Sequence, residues 1–416
     1  MLDVFQKINK ITKGSQDKRI LLANFSYLSL LQLTGYVFPL ITMPYLAKVI
    51  GPSGFGKIAF ALAVIVWIQT IAEWGFNFTA TRDVAQHRDD KEKVSEILSN
   101  VLCSRILLAL ISFTILCLLI WVVPVFNENA SIILVTYLTV PGSIIFPEWF
   151  FQAVEKMKYT TLFNLLIKLI FTILVFLLIK DEQDYIYQPL LTAVGYFICG
   201  LGALYLIFYK WKYHFRLPSF YVVCKTIQNG TDVFLNNLIP NLYNSFSILL
   251  LTAFGGAAAN GIYDGGNKFA MIFSNLQSVI SRTFFPFLSR RSDKHSVFMK
   301  INIAVSVFGA VLLFLLAPLI IKIMLGDDFN ESIIVLRILS LSIIFLALND
   351  TFGTNFLIIN HHEQELRNIT IIASIIGFFI AFPLVKYYSY VGAAITIFAS
   401  RFVLGVLTFI QYKRLK

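Results

Sequence analysis

Twelve times along this chain a run of about twenty predominantly apolar residues, the length that crosses the hydrocarbon of a bilayer, is followed by a short polar turn. The runs cover roughly residues 22–45, 57–80, 98–123, 131–153, 160–179, 189–209, 227–254, 259–285, 297–323, 332–358, 367–387 and 390–411. The turns between them carry Gly, Pro, Asn or Asp, as in the segments beginning at Gly51, Val123, Lys180, Phe254 and Gly326. None is long enough to hold a soluble domain. Only 14% of the 416 residues are charged and 57% are hydrophobic, against about 25% charged in an ordinary soluble domain. A chain of this size cannot cover a water-facing surface with so few charges, which excludes a soluble, disordered or disulfide-stapled protein. The expected fold is an all-α polytopic membrane protein.

The net charge of +11 would suggest nucleic acid in a soluble domain, but the placement of the charges argues otherwise. Of the 34 Lys and Arg, 23 fall in the N-terminal tail, the C-terminal tail and the even-numbered loops, including Lys7, Lys10, Lys13, Arg82, Lys156, Lys210, Arg291 and Lys413. The odd-numbered loops hold five: Lys48, Lys57, Lys180, Lys322 and Lys386. Positive loops face the cytoplasm, so both termini are predicted cytoplasmic and no nucleic-acid partner is called for. The N-terminal stretch lacks a short apolar core with a small-residue cleavage site, and reads as retained rather than as a signal peptide.

An even number of spans per half gives parallel halves. Gly51 and Gly56 flank the turn between spans one and two, and Gly256 and Gly261 flank the turn between spans seven and eight. The expected organisation is therefore two six-helix bundles, residues 1–212 and 213–416. Parallel repeats of this kind place a substrate cavity between bundles.

Several motifs have bland readings. Gly51 through Lys57 matches the start of a phosphate-binding loop, but Ile58 stands where Ser or Thr must bind magnesium, so a tight turn and helix start is expected. The five His fall in predicted loops, and the adjacent His361 and His362 read as a solvated pair rather than a metal site. Cys103, Cys117, Cys199 and Cys224 show no C-x-x-C spacing and are expected to be packing residues. No cofactor, metal cluster or catalytic constellation is called for, and no enzyme is expected.

Charges inside the spans carry the functional signal, because a charge at mid-bilayer costs several kcal/mol and is retained facing a bundle interior or wet cavity. Lys168, Lys268 and Arg401 are central in their spans and are expected to line a cavity, with a structural salt bridge as the alternative. Arg105, Arg282 and Arg337 lie close enough to span ends to snorkel. Asp264 and Lys268, four apart on one helix face, have mutual pairing as a rival reading. Glu73 and Asp264 are candidates for ion coupling, with a structural partnership to a basic residue as the alternative.

The stretches from Asn24 to Tyr27, Pro44 to Gly51 and Gly54 to Gly56 resemble the N-terminal signature of the O-antigen and polysaccharide repeat-unit flippases, the Wzx family. So do Trp74-Gly75-Phe76, the Ala80 to Ala85 segment, and Pro147-Glu148-Trp149-Phe150-Phe151-Gln152-Ala153, where Ala153 stands in place of a common Gly. Gly261-Ile262-Tyr263, Pro286 to Ser289 and Leu336 to Leu339 extend the resemblance over most of the chain. It implies a MATE-like (MOP superfamily) fold, two bundles around a lumen that alternates between the membrane faces. The implied cargo is an oligosaccharide linked by pyrophosphate to undecaprenol, moved from the cytoplasmic to the periplasmic leaflet of the bacterial inner membrane. Lys168, Lys268, Arg401 and Lys57 become expected contacts for the anionic pyrophosphate and sugar. Membrane lipids, a polysaccharide polymerase and a chain-length regulator become expected partners. Two alternatives stand beside this reading: a cation-coupled multidrug-type antiporter, and a non-transporting scaffold for polysaccharide assembly.

Overall fold

In the computed structural model, residues 16–238, 241, 245–290 and 292–416 are described; Lys7, Lys10, Lys13 and Arg291 lie outside the described residues. Among the described residues there is no strand, and nine helices are long and apolar enough to cross a membrane. The helices are α1 (Gln16–Glu73), α2 (Phe76–Gln86), α3 (Lys91–Val122), α4 (Pro124–Glu128), α5 (Ala130–Tyr137), α6 (Thr139–Ile145), α7 (Glu148–Ala153), α8 (Met157–Leu178) and α9 (Tyr187–Leu204). After these come α10 (Phe220–Leu238), α11 (Phe246–Arg290), α12 (His295–Met324), α13 (Ser332–Leu348, prolonged by a π-helical stretch Asn349–Ile358) and α14 (Glu363–Leu415).

Three of these helices break at a single non-helical residue, and in α1 and α14 each limb is long enough to cross the membrane. A straight helix of 58 residues would run to about 87 Å, nearly three times a hydrocarbon core of about 30 Å. α1 breaks at Gly51 (φ 57°), a left-handed conformation that glycine adopts without a Cβ penalty, and α11 breaks at Gly256 (φ 77°). α14 breaks at Ser389 (φ 49°). The chain reverses at the second break, since Asn260 Nδ2 donates to Thr252 Oγ1 at 3.0 Å although eight residues of straight helix would hold them about 12 Å apart. The Gly51 to Lys57 segment is thus a turn followed by a helix start.

The two glycine turns meet each other. A Cβ on Gly56 would run into the carbonyl of Ala257, and a Cβ on Gly261 would run into the carbonyl of Pro52. Ala257 stands 205 residues after Pro52, and Gly261 stands 205 residues after Gly56, so the contact is reciprocal between equivalent positions of the two halves. Asn260 Nδ2 also donates to the carbonyl of Gly56 at 3.1 Å. In lipid, where apolar burial does not favour association between helices, such close backbone approach is what holds bundles together.

Some expectations need correction. The fourth span is three short helices, α5 to α7, divided near Pro141 and at the Phe146-Pro147 step, because proline lacks the N–H needed to continue a helix. Arg105 does not snorkel. α3 begins at Lys91, two turns earlier than hydropathy alone implies, which puts Arg105 about 21 Å along the helix; it is fully buried and faces Glu73 at 3.8 Å. His295 is likewise not a solvated loop residue: it is buried at the start of α12, with Nε2 3.0 Å from the Thr351 carbonyl and its ring among Phe352, Phe356 and Tyr412.

α10 packs against α1, α2 and α3. Trp74 stacks on Phe234 with ring centroids 3.9 Å apart and an interplanar angle of 4°. The segment leading into α10 follows the same course, with His214 N and Arg216 N donating to Ser95 and Ser99 hydroxyls at 3.1 Å each. Arg216 is also bridged to Glu92.

Candidate functional site

Two polar stripes on apolar helices build the site. On α8, Thr160, Asn164, Lys168 and Thr172 recur every fourth residue, and on α9 so do Gln188, Thr192 and Tyr196. A spacing of four keeps side chains on one helical face. Asn164, Lys168, Gln188, Thr192 and Tyr196 line one cavity of about 350 Å³. Both limbs of α1 close it, through residues such as Thr42, Leu46, Phe55 and Ile58, and Lys268 reaches it from α11. The site is therefore carried mainly by the first bundle and completed by one cation from the second.

The two lysines differ in their state of pairing. Lys268 Nζ lies 2.7 Å from Asp264 on the preceding turn and 4.4 Å from the centre of the Phe55 ring. Lys168 sits about 15 Å from either end of α8, half-buried, with no hydrogen bond or ion pair among the described residues. Gly35 on α1 faces it, a Cβ there falling 3.5 Å from Nζ. One turn away, Asn164 Nδ2 donates to Glu148 Oε1 at 2.9 Å, so Glu148 at the start of α7 backs the cavity wall. Gln188 Oε1 is buried without a partner on the same lining. The lining offers ammonium, amide and hydroxyl groups and, among the described residues, no carboxylate.

The remaining expected site residues fall elsewhere. Lys57 Nζ rests 4.6 Å over the Tyr185 ring, outside the cavity lining. Arg401 is buried between α13 and α14, where Nη1 donates to Ser342 Oγ at 2.8 Å. Glu73 accepts from Gln69 at 2.8 Å and Asn77 at 3.0 Å besides facing Arg105. Asp264 is engaged by Lys268. The structure thus brings Lys168 and Lys268 together and leaves Lys57 and Arg401 apart from them.

Asn164, Gln188, Thr192 and Tyr196 escape a reading that searches only for charge. Their signal is periodicity: polar residues four apart on segments otherwise made of Leu, Ile, Phe and Val.

The profile of the polysaccharide biosynthesis protein family matches residues 21–292. A curated relative from Escherichia coli (strain K12), named as a candidate O-antigen transporter, is 28% identical over 392 residues, covering 92% of this chain and 94% of the relative. Among solved structures, the lipid II flippase MurJ in an inward closed conformation is similar with a TM-score of 0.70 and 14% identity, over 94% of this chain and 87% of that one. An inward-facing multidrug resistance MATE family transporter of the MOP superfamily has a TM-score of 0.69 at 15% identity, over 94% of this chain and 98% of that one. These likenesses fix the fold as that of the MATE and MurJ transporters.

Proposed function

Because the chain belongs to the polysaccharide biosynthesis protein family, we propose that it translocates a lipid-linked oligosaccharide, a polysaccharide repeat unit on undecaprenyl pyrophosphate, between membrane leaflets. The single observation that carries this is the unpaired Lys168 ammonium on the wall of a cavity deep in the helix bundle. A lysine at a helix centre costs about 2.5–3.5 kcal/mol on insertion scales, and a stable fold without function would pair it or replace it. An arriving pyrophosphate supplies the missing anion, with charge-assisted hydrogen bonds from Lys168 and, after release from Asp264, from Lys268. The amide and hydroxyl groups of Asn164, Gln188 and Thr192 suit the adjoining sugar. The lipid tail remains in the bilayer.

The chemistry is binding and release, with no bond made or broken. The basic loops support the orientation of this reading, with both termini in the cytoplasm, loading from that side and delivery to the periplasmic side of the inner membrane. Meeting of the two glycine turns closes one end of the cavity, and parting of the same turns opens it, which is alternating access. A polymerase and a chain-length regulator are the downstream partners this direction of transport calls for. An exporter of cationic compounds would need carboxylates on the lining, and the cavity's free charge has the opposite sign.

The test is surface polysaccharide in cells making Lys168→Ala or Lys268→Ala at wild-type protein level. Loss of delivery with Lys168→Ala and partial retention with Lys168→Arg is expected. Undiminished delivery by Lys168→Ala would remove the cavity from the transport path.

A further inference from the structure

Away from the lysine-lined cavity, a groove of about 690 Å³ lies among α3, α5, α6 and α9. Its lining is almost wholly apolar, with Ile106, Leu110, Phe113, Leu134, Phe208 and Phe215 prominent. Ile106 and Leu110 are half or more exposed at its edge, so it opens toward lipid. Along α3 it extends from Leu102 to Phe113, a rise of about 16 Å, about half of a hydrocarbon core of roughly 30 Å.

Its mouth is defined by chemistry of the opposite kind. Phe208 and Phe215 bracket the segment that carries Lys210 and Lys212, and Arg216 follows it. Lys91 lies 5.7 Å over the Tyr213 ring and Lys156 lies 3.8 Å over the Trp211 ring, both rings in the same segment. Burial, and after it the neighbouring Lys91 charge, hold the Lys156 ammonium below the usual lysine range; only the second of these reports local positive potential. The nearby acids are engaged: Glu92 by Arg216, Glu96 by Lys93 and Glu155 by Arg88. Lys91, Lys210 and Lys212 have no such carboxylate within salt-bridge reach among the described residues.

We propose that this groove is a binding site for an anionic glycerophospholipid of the leaflet on the basic side. One acyl chain occupies the groove and the phosphate sits at the mouth among Lys91, Lys210 and Lys212. Taking about 30 Å³ for each water-sized group, the groove holds about two dozen such groups. That is the scale of a single acyl chain and well short of an undecaprenyl chain, so the occupant is a resident lipid and not the cargo's tail. A cationic mouth at the interface attracts anionic headgroups selectively, whereas an apolar groove alone accepts any chain.

The experiment uses the full chain reconstituted in nanodiscs of phosphatidylcholine and phosphatidylglycerol. It is released into detergent and weighed by native mass spectrometry, with a parallel arm containing undecaprenyl phosphate. One retained phosphatidylglycerol per chain, in preference to phosphatidylcholine, is expected. Lys210→Gln with Lys212→Gln should cut that preference about fivefold for each lysine removed, and Ile106→Trp with Leu110→Trp, at exposed edge positions that do not disturb the core, should abolish retention. Equal retention of the two phospholipids, or retention untouched by both pairs of substitutions, overturns the site. Displacement of phosphatidylglycerol by undecaprenyl phosphate, mole for mole, overturns the choice of occupant.

Discussion

Replacing Gly261 by Ala should shift the transporter toward the state in which the two glycine turns are apart. The added methyl would overlap the Pro52 carbonyl oxygen and come within 2.7 Å of its carbon and 3.0 Å of Gly56 N. All three are backbone atoms that cannot rotate away. Restoring a carbon–oxygen separation of about 3.3 Å requires the two turns to part. The overlap is worth about 1–3 kcal/mol by analogy with overpacked cores, and parting also gives up the Asn260 to Gly56 hydrogen bond, worth about 1 kcal/mol. A penalty of about 2–4 kcal/mol falls on the closed state alone, because a methyl in separated turns touches nothing. At 1.4 kcal/mol per tenfold, the closed-to-open ratio drops by roughly 30- to 700-fold. Pulsed electron resonance between spin labels at Ser53 and Ala258, in a background with the four cysteines replaced by serine, reads this directly: a short distance in the parent and a longer one in Gly261→Ala. Gly56→Ala should act alike, its methyl meeting Ala257. The double substitution should add little, since one separation relieves both overlaps. Gly51→Ala is the control: nothing lies within 4 Å of its Cβ but φ is 57°, so it should lower stability without changing the distance. A short distance retained in Gly261→Ala at normal protein yield would refute the reasoning.

Three further outcomes follow from the first bundle. Asn164→Leu removes the amide donor to Glu148 and should cost about 1–3 kcal/mol, seen as a lower melting temperature in detergent and as reduced delivery. Arg105→Leu removes the buried half of an ion pair whose other half, Glu73, is 28% exposed, so the loss should fall short of the about 3–5 kcal/mol of a fully buried pair; Arg105→Leu with Glu73→Gln should recover much of it, measured by the yield of folded protein. Lys156→Met should gain less stability than the parent as pH rises. The Lys156 ammonium is held below its ordinary range, so the unfolded chain binds the extra proton and parental stability rises as pH climbs through the window just under the usual lysine value. The melting temperature of the parent should therefore rise relative to that of Lys156→Met from pH 7 to pH 10, and a relative fall would contradict the sign.

The helical membrane-spanning character was legible because hydropathy integrates over a whole helix, and the breaks at Gly51 and Gly256 were legible because glycine marks positions that need positive φ. Lys168 and Lys268 could be singled out because charge in an apolar run is rare. What hydropathy does not encode is azimuth. Arg401 and Lys168 are equally central in their helices, yet one turns toward Ser342 in a bundle interior and the other toward the cavity. Arg105 was misjudged because α3 continues past the membrane edge into the charged Lys91 to Glu96 stretch, where hydropathy falls although helix does not. His295 was misread for a related reason: a residue beside a polar loop can still be covered by aromatic rings from α13 and α14.

The reciprocal seat of the two glycine turns also bears on how such a chain can change over time. Each turn is the mould for the other, and the mould is main chain: every residue type carries the carbonyl that a Cβ at Gly56 or Gly261 would strike, so no change at Ala257 or Pro52 makes room for one. The glycine of each half is therefore required by the backbone course of the other half. A chimera joining the first half of this chain to the second half of a relative would inherit two turns shaped by different partners. Its fit would be decided there, at backbone atoms, before any difference in the cavity came into play.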